Sequence, residues 1–590
     1  IVSIFLTVSL AHGSATLIKA YKEATKGSAY EALRTLKPFI PSPREKPLYY
    51  FTLGLAYKRT GNTEKAIDYL RRAYITAKDR QLRERALFLR ADTYYSGGFF
   101  YEARSLFRVF INIFPESSLL QEAKTKYAMA CLSVGQLADA MEVFRSVGDE
   151  NIEALIGKAE VFHKTGFYET AQELYQRAID KDWSYFKAHP ERLYYLAENL
   201  KLLGKKDRAR KLYYFLLDSP MRQWAFLSLA LIDLAEGKGH DAVLHLRMAL
   251  QEPPNRPKVN PWQIRQLYRK VLLAMGRAYI LEGDHEKAKR VLLKLREDFF
   301  GTPEAEEGLV LLAWIYTEEG RFIDATSFLR EVLYGRTHRK EALEQLKTTI
   351  LKAKDKDPEA FVRVWQMAGG FLYDETFVNE LISIGRALSQ AGHIDSIRVY
   401  QFVLERAETG GKREALKHLA EVFIKTRSVQ GLRFVVQKMK QFQVPWQDYL
   451  RAKVWLLGLS GNSHGAYKLF KMLKNYKKDD LELLRRIASG AGDYEEFVRL
   501  YMKVSKEVKG PPDYRFLAHY AMVRKRPEEA VKYFQLYAKA NPEATEPFAM
   551  VGVLKNKTVP LTAGQAQDLW SSVSVVLNKE NEVLERLKRL

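Results

Sequence analysis

Apolar positions along this chain recur in pairs of helical stretches separated by a short polar break. Between Pro47 and Arg80 the pattern is clearest: Leu53, Gly54 and Tyr57 lie one and three residues apart, Gly61-Asn62 interrupts, and Ala66, Leu70 and Ala73 follow at four and three. Such spacings put side chains on one face of an α-helix, so the stretch predicts two helices joined by a turn at Gly61. The motif returns at Ala32, Ala66, Ala103, Ala140, Ala171, Ala209, Ala242, Ala288 and Ala325. Each alanine follows a glycine by five residues and precedes a large apolar residue by four. The steps between them are 34, 37, 37, 31, 38, 33, 46 and 37 residues. Periods of this size predict stacked helical hairpins, each burying its apolar face against its neighbours. Gly54 and Ala66 are small where helix axes approach to about 8–10 Å, and Tyr57 and Leu70 fill the space beside them. The expected fold is all-α, an α-solenoid of antiparallel helix hairpins.

The order Leu53-Gly54, Tyr57, Gly61, Ala66, Leu70, Ala73 resembles the tetratricopeptide repeat, a helical hairpin that stacks into a right-handed superhelix. Tyr94, Gly98, Ala103, Phe107 and Pro115 match it in part, as do Gly276, Tyr279, Gly283, Ala288 and Leu292. Ala518, Ala530, Phe534 and Pro542 return to it far downstream. A finer likeness lies in Phe107 to Ala128, where an aromatic-Pro-x-Ser segment leads into an alanine-containing helix, and more loosely in Phe299 to Ala313. This arrangement resembles the repeats of bacterial cell-envelope proteins of the outer-membrane assembly lipoprotein and Tol-Pal coordinator kinds. The lipid-anchoring cysteine of the first kind has no counterpart here.

The regular array is expected over 14–351. Regularity fails over 352–376, where a polar run from Lys352 to Pro358 and then Gly369-Gly370 predict a joint or divergent hairpin. A degenerate array is expected over 377–545 and polar capping helices over 546–590. Residues 1–13 read as the remnant of an export signal, because Ile1 to Leu10 is apolar and uncharged and Ser9-Leu10-Ala11 suits cleavage. That run is too short to cross a membrane, and no later stretch is a transmembrane candidate. The expected location is exported and periplasmic.

Composition modifies this picture little. The chain has 94 basic and 71 acidic residues, a net +23, which favours anionic partners. Its basic clusters, Lys205 to Lys211, Lys471 to Lys478 and Arg524 to Arg526, fall at predicted helix ends or turns, where cations complement the helix dipole. The single cysteine, Cys131, excludes an internal disulfide and any multi-thiolate metal site.

No nucleophile–base pair, phosphate-cradling loop or metal-ligand spacing stands out. Asp284-His285-Glu286 reads as a capping sequence after Gly283. The chain is therefore expected to be no enzyme and to need no cofactor, metal or small-molecule substrate. Repeat arrays hold partners on their concave face. Counted from the repeat phase, the groove positions are Phe51, Leu55, Lys58, Arg85, Phe88, Asp92, Glu160, His163, Lys164, Tyr194, Glu198, Lys201, Arg277 and Trp314. Aromatic rings mixed with both charge signs suit an extended peptide or a partner's helix. The alternatives are salt-dependent binding of an anionic polymer, polysaccharide or nucleic acid, and a peptidoglycan-contacting superhelix related to lytic transglycosylases without their catalytic domain.

Overall fold

The computed structural model describes residues 13–251, 261–505 and 511–541, with positions 543, 544, 547 and 550. The expected signal remnant and C-terminal cap thus lie almost wholly outside the described residues. Among the described residues all regular structure is helical: 31 α-helices with short 3-10 turns between some of them.

One hairpin explains the rest. The helix Lys46–Arg59 ends at Gly61, whose φ of 75° is left-handed, a conformation that costs glycine little. The Asn62 N–H then reaches back to the Tyr57 carbonyl at 2.9 Å, closing a Schellman turn. The Asn62 side chain accepts from the Lys65 N–H and starts the helix Thr63–Thr76. The same backward bond joins Phe99 to Tyr94, Phe167 to Phe162, Lys205 to Leu200 and Arg321 to Tyr316.

The turn brings a small residue on one helix against a large one on the other. A Cβ on Gly54 would stand 2.6 Å from Leu70 Cγ, and one on Gly276 would stand 2.3 Å from a Leu292 methyl. All nine phase alanines and the large residues that follow them are buried. Cys131 is buried too, and burial pushes its thiol pKa up.

The helices form two compact units. The first holds the residues up to Ile315 together with Tyr334–His338. Its inner helices are Lys46–Arg59, Arg80–Ser96, Leu120–Ser133, Ile152–Lys164, Pro190–Leu202, Arg222–Ala235 and Pro261–Leu281. Each but the last packs on the next inner helix as well as on its hairpin partner, which makes the unit a solenoid.

The second unit holds Tyr316–Leu333 and the residues from Arg339 onward. It keeps the hairpin geometry where the glycine signature is gone. Arg427, Gln443 and Lys525 take left-handed φ values of 53°, 52° and 58°. The next residues, Ser428, Val444 and Arg526, still bond back to Phe423, Met439 and Ala521. Over 352–376 the chain completes the helix Arg339–Lys356 and forms Pro358–Ala368 and two 3-10 turns. Asp357 caps the second of these helices, and Phe361, Val364 and Trp365 are buried.

Enlarging the small position should splay one hairpin. Ala103→Leu is expected to cost about 1–3 kcal/mol. Hydrogen exchange should rise first in Arg80–Ser96, Phe100–Ile113 and Leu120–Ser133, because coupling in such arrays is nearest-neighbour; a uniform rise across both units would contradict it.

Candidate functional site

The inner helices of the first unit present two adjoining hollows. The larger, about 890 Å³, runs from Asp92 and Tyr95 on Arg80–Ser96 to Gln266 and Lys270 on Pro261–Leu281. The smaller, about 540 Å³, is floored by Phe51, Phe88, Leu89 and Leu119 and rimmed by Glu84, Glu116 and Glu122. Asp92 lines both, so the two hollows adjoin at that residue; together they are called the groove.

Polar side chains in this groove are matched across neighbouring repeats. Asp92 accepts from Lys58, 34 residues before it, and from Lys126, 34 residues after it. Glu160, only 2% exposed, takes both carboxylate bonds from Arg192 at 2.7 and 2.9 Å. His163 Nδ1 lies 3.0 Å from Asn199 Oδ1, and the Tyr194 hydroxyl 3.0 Å from Ser228 Oγ. These sequence separations of 32, 34 and 36 equal about one repeat. The hairpin period therefore decides which polar residues meet.

The electrostatics follow from this matching. Burial pushes the Asp92 carboxyl pKa up, but Lys58 and Lys126 outweigh it and hold the group below the usual aspartate range. Burial acts on Glu198 in the same direction and is overcome by Lys201, which donates at 2.6 Å, and by the hydroxyls of Ser228 and Tyr213. For Arg192 burial favours loss of the proton, yet Glu160 holds the guanidinium pKa well above its ordinary value. Burial and the neighbouring Glu198 push the Tyr194 phenol up, so its hydroxyl stays protonated.

Aromatic rings make up the remaining lining. Lys164 stands over Tyr195, Tyr195 neighbours Tyr194, Tyr194 neighbours Trp224, and Lys270 stands over Trp224, with steps of 5.9, 6.1, 6.4 and 5.7 Å. At the edge formed by the helix starts, Tyr185 stacks on His189 at 4.0 Å and donates to Glu153 at 3.3 Å.

Of the groove positions expected from the repeat phase, Asp92, Glu160, His163, Lys164, Tyr194 and Glu198 line the larger hollow. Phe51, Arg85 and Phe88 line the smaller one. Phe51 is fully buried and Phe88 is 5% exposed, with Phe107 and Phe110 against its edge, so both serve the core as well. Leu55 is buried, and Lys58 and Lys201 act through Asp92 and Glu198. Arg277 pairs with Glu307 and Trp314 contacts the His285 ring; both stand outside the two hollows.

Phase reasoning left out Lys126, Tyr185, His189, Arg192, Trp224 and Lys270. Lys126 was within reach of it, standing one period beyond Asp92. Tyr185 and His189 were not, because they come with the short extra helix Trp183–Ala188 that interrupts the phase. Elsewhere, Asp284 caps the helix His285–Asp298 by accepting from the Lys287 N–H.

The chain carries tetratricopeptide repeats: residues 48–74 and 270–299 match models of that repeat. Among solved structures it is similar to a tetratricopeptide repeat protein from Parabacteroides merdae at 19% identity, with 45% of this chain and 99% of that one covered and a TM-score of 0.35. It is similar to the C-terminal part of a TPR repeat-containing protein from Cytophaga hutchinsonii at 13% identity, covering 49% and 98%, with a TM-score of 0.31. It is also similar to human IFIT1, solved as a dimer with m7Gppp-AAAA, at 16% identity, covering 66% and 89%, with a TM-score of 0.39. No curated protein sequence matches the chain.

Two outcomes follow from the matched charges. Arg192→Met strands a buried carboxylate and should destabilise the first unit by about 3–5 kcal/mol in urea unfolding, with much of the loss recovered when Glu160→Leu is added. Asp92 has a lowered folded pKa, so its stabilisation is complete above the ordinary aspartate value of about 3.9 and disappears as the pH falls below it. The urea midpoint of Asp92→Asn should accordingly change less than that of the parent between pH 6 and pH 2.

Proposed function

We propose that this chain is a non-catalytic tetratricopeptide scaffold of the bacterial cell envelope that holds an extended segment or a helix of a partner protein in the groove of its first unit. The observation that carries the reading is the row of half-buried rings, Tyr185, Tyr194, Tyr195 and Trp224, set beside the ion pairs of Asp92 with Lys58 and Lys126, Glu160 with Arg192 and Glu198 with Lys201. A groove braced by such pairs keeps its shape when empty, so little ordering cost opposes binding. Its rings supply the broad, rigid contact area that dominates protein interfaces.

The repeat class supports a partner-binding role, since arrays of this kind use their extended concave surfaces for binding. The absence of catalysis is inferred from that class. The envelope setting and export rest on the apolar run Ile1 to Leu10 and on the aromatic-Pro-x-Ser segment at Phe114 to Ser117. Among the described residues no helix is long and apolar enough to cross a membrane. The divisions at 14–351, 352–376, 377–545 and 546–590 belong to the same proposal.

Binding of an anionic polymer is the weaker reading, because several residues of the basic clusters are already engaged by the protein's own groups. Lys471 pairs with Glu496, Lys477 with Glu421, and Arg524 donates to the carbonyls of Ala488 and Ala491.

The immobilised full chain should capture one defined protein from envelope extract. Trp224→Ala and Tyr195→Ala should each weaken that capture about tenfold or more while helical circular dichroism is unchanged. Capture indifferent to both substitutions, or capture of anionic polymer alone, would reject the groove as the binding surface.

A further inference from the structure

The charges that the groove leaves unmatched have an order. Along the edge built from the start of successive inner helices stand Glu84, Glu116, Glu153 and Glu191, all lining the two hollows. Among the described residues Glu84 accepts from the Ser117 hydroxyl and Glu153 from that of Tyr185, and neither has an ion pair. Glu116 and Glu191 are exposed and have no cation within ion-pair distance among the described residues. Arg85 shares the smaller hollow with Glu84 and Glu116. Among the described residues the groove cations without a carboxylate partner are Arg85, Lys164, at the opposite end of its helix from Glu153, and Lys270, on the last helix of the row.

The helix dipole favours acidic residues in a first turn, which accounts for Glu153 and Glu191 being acidic. It does not account for Glu116, which lies outside any helix. Nor does it account for four carboxylates along one edge that have no ion pair among the described residues, on a chain whose net charge is +23. The rings of Tyr185, Tyr194, Tyr195 and Trp224 line the same hollow as Glu153, Glu191, Lys164 and Lys270.

We infer that the occupant of this groove is an extended partner segment carrying a basic residue at about every third position, with apolar or aromatic residues between. The inference rests on the groove reading above. Neighbouring packed helices stand about 8–10 Å apart, and a segment in the extended polyproline II conformation advances about 3.1 Å per residue and brings every third side chain to the same face. One repeat of the acidic edge therefore corresponds to about three residues of the segment. The intervening apolar side chains then meet the rings, and each cation meets a carboxylate and an aromatic face together. Lys270, over Trp224, repels such a segment and limits its basic stretch to the part of the groove before that ring, while Arg85 and Lys164 lie within that part and oppose the attraction.

Fluorescence anisotropy with synthetic peptides tests this. The probes are (Lys-Phe-Ser)4, a peptide of the same composition with its lysines in one block, and (Glu-Phe-Ser)4. The spaced basic peptide should bind about fivefold or more tighter than the blocked one and far tighter than the acidic one, at moderate salt. Glu116→Lys and Glu191→Lys should each weaken it about three- to tenfold, a change expected of charges at an interface rim. Lys164→Glu should strengthen it.

Equal binding of the spaced and blocked peptides, preference for the acidic peptide, or indifference to Glu116→Lys and Glu191→Lys would overturn the inference. If this happens while partner capture remains sensitive to Trp224→Ala, only the charge pattern of the occupant is wrong. If capture is insensitive as well, the groove reading fails with it.

Discussion

A large side chain from one helix seated on a glycine or alanine of its hairpin partner is the contact on which this molecule is built. Gly54 under Leu70 and Gly276 under Leu292 show how little room is left: a single added carbon would stand well inside van der Waals distance. Gly385 under Tyr400 repeats the device in the second unit. Close approach lets each hairpin bury its apolar face, and the next hairpin buries what remains. No central core is needed, which is how a chain of this length stays folded without dividing into many globular domains.

The polar interior of the groove is a consequence of the same contact. Because each hairpin takes up nearly the same length of chain, a residue on one inner helix faces the residue about 34 positions later. Lys58, Asp92 and Lys126 are therefore neighbours in space, as are Glu160 and Arg192. Each of these charges would be costly to bury alone and is tolerable only in its pair. The matching leaves the aromatic rings as the surface open for contact, and it leaves a few carboxylates and lysines to choose what the rings touch.

Repetition also explains how far the groove could be read in advance. Asp92, Glu160, His163, Lys164, Tyr194 and Glu198 recur at one phase of the period, and all of them line the larger hollow. The same phase also selects Arg277 and Trp314, which engage Glu307 and His285 away from it. Phase says which helix face a residue occupies but not whether its neighbours leave space in front of it. In the second unit the signature fades for a different reason. Arg427, Gln443 and Lys525 adopt the left-handed turn that glycine adopts elsewhere, so the backbone repeats while the letters do not. A turn held by backbone hydrogen bonds can absorb the strain of about 1–2 kcal/mol that such a residue brings.

Local spacing thus carried the helices, the hairpin turns and the small-on-large packing, because each depends on residues within a few turns of one another. The groove needed the folded chain. Trp183–Ala188 shifts Tyr185 and His189 onto the edge beside Glu153, and helices separated by whole repeats bring Tyr194, Trp224 and Lys270 into one row. Such positions are set by how several hairpins stack in sequence, a sum of small rotations that no single repeat encodes.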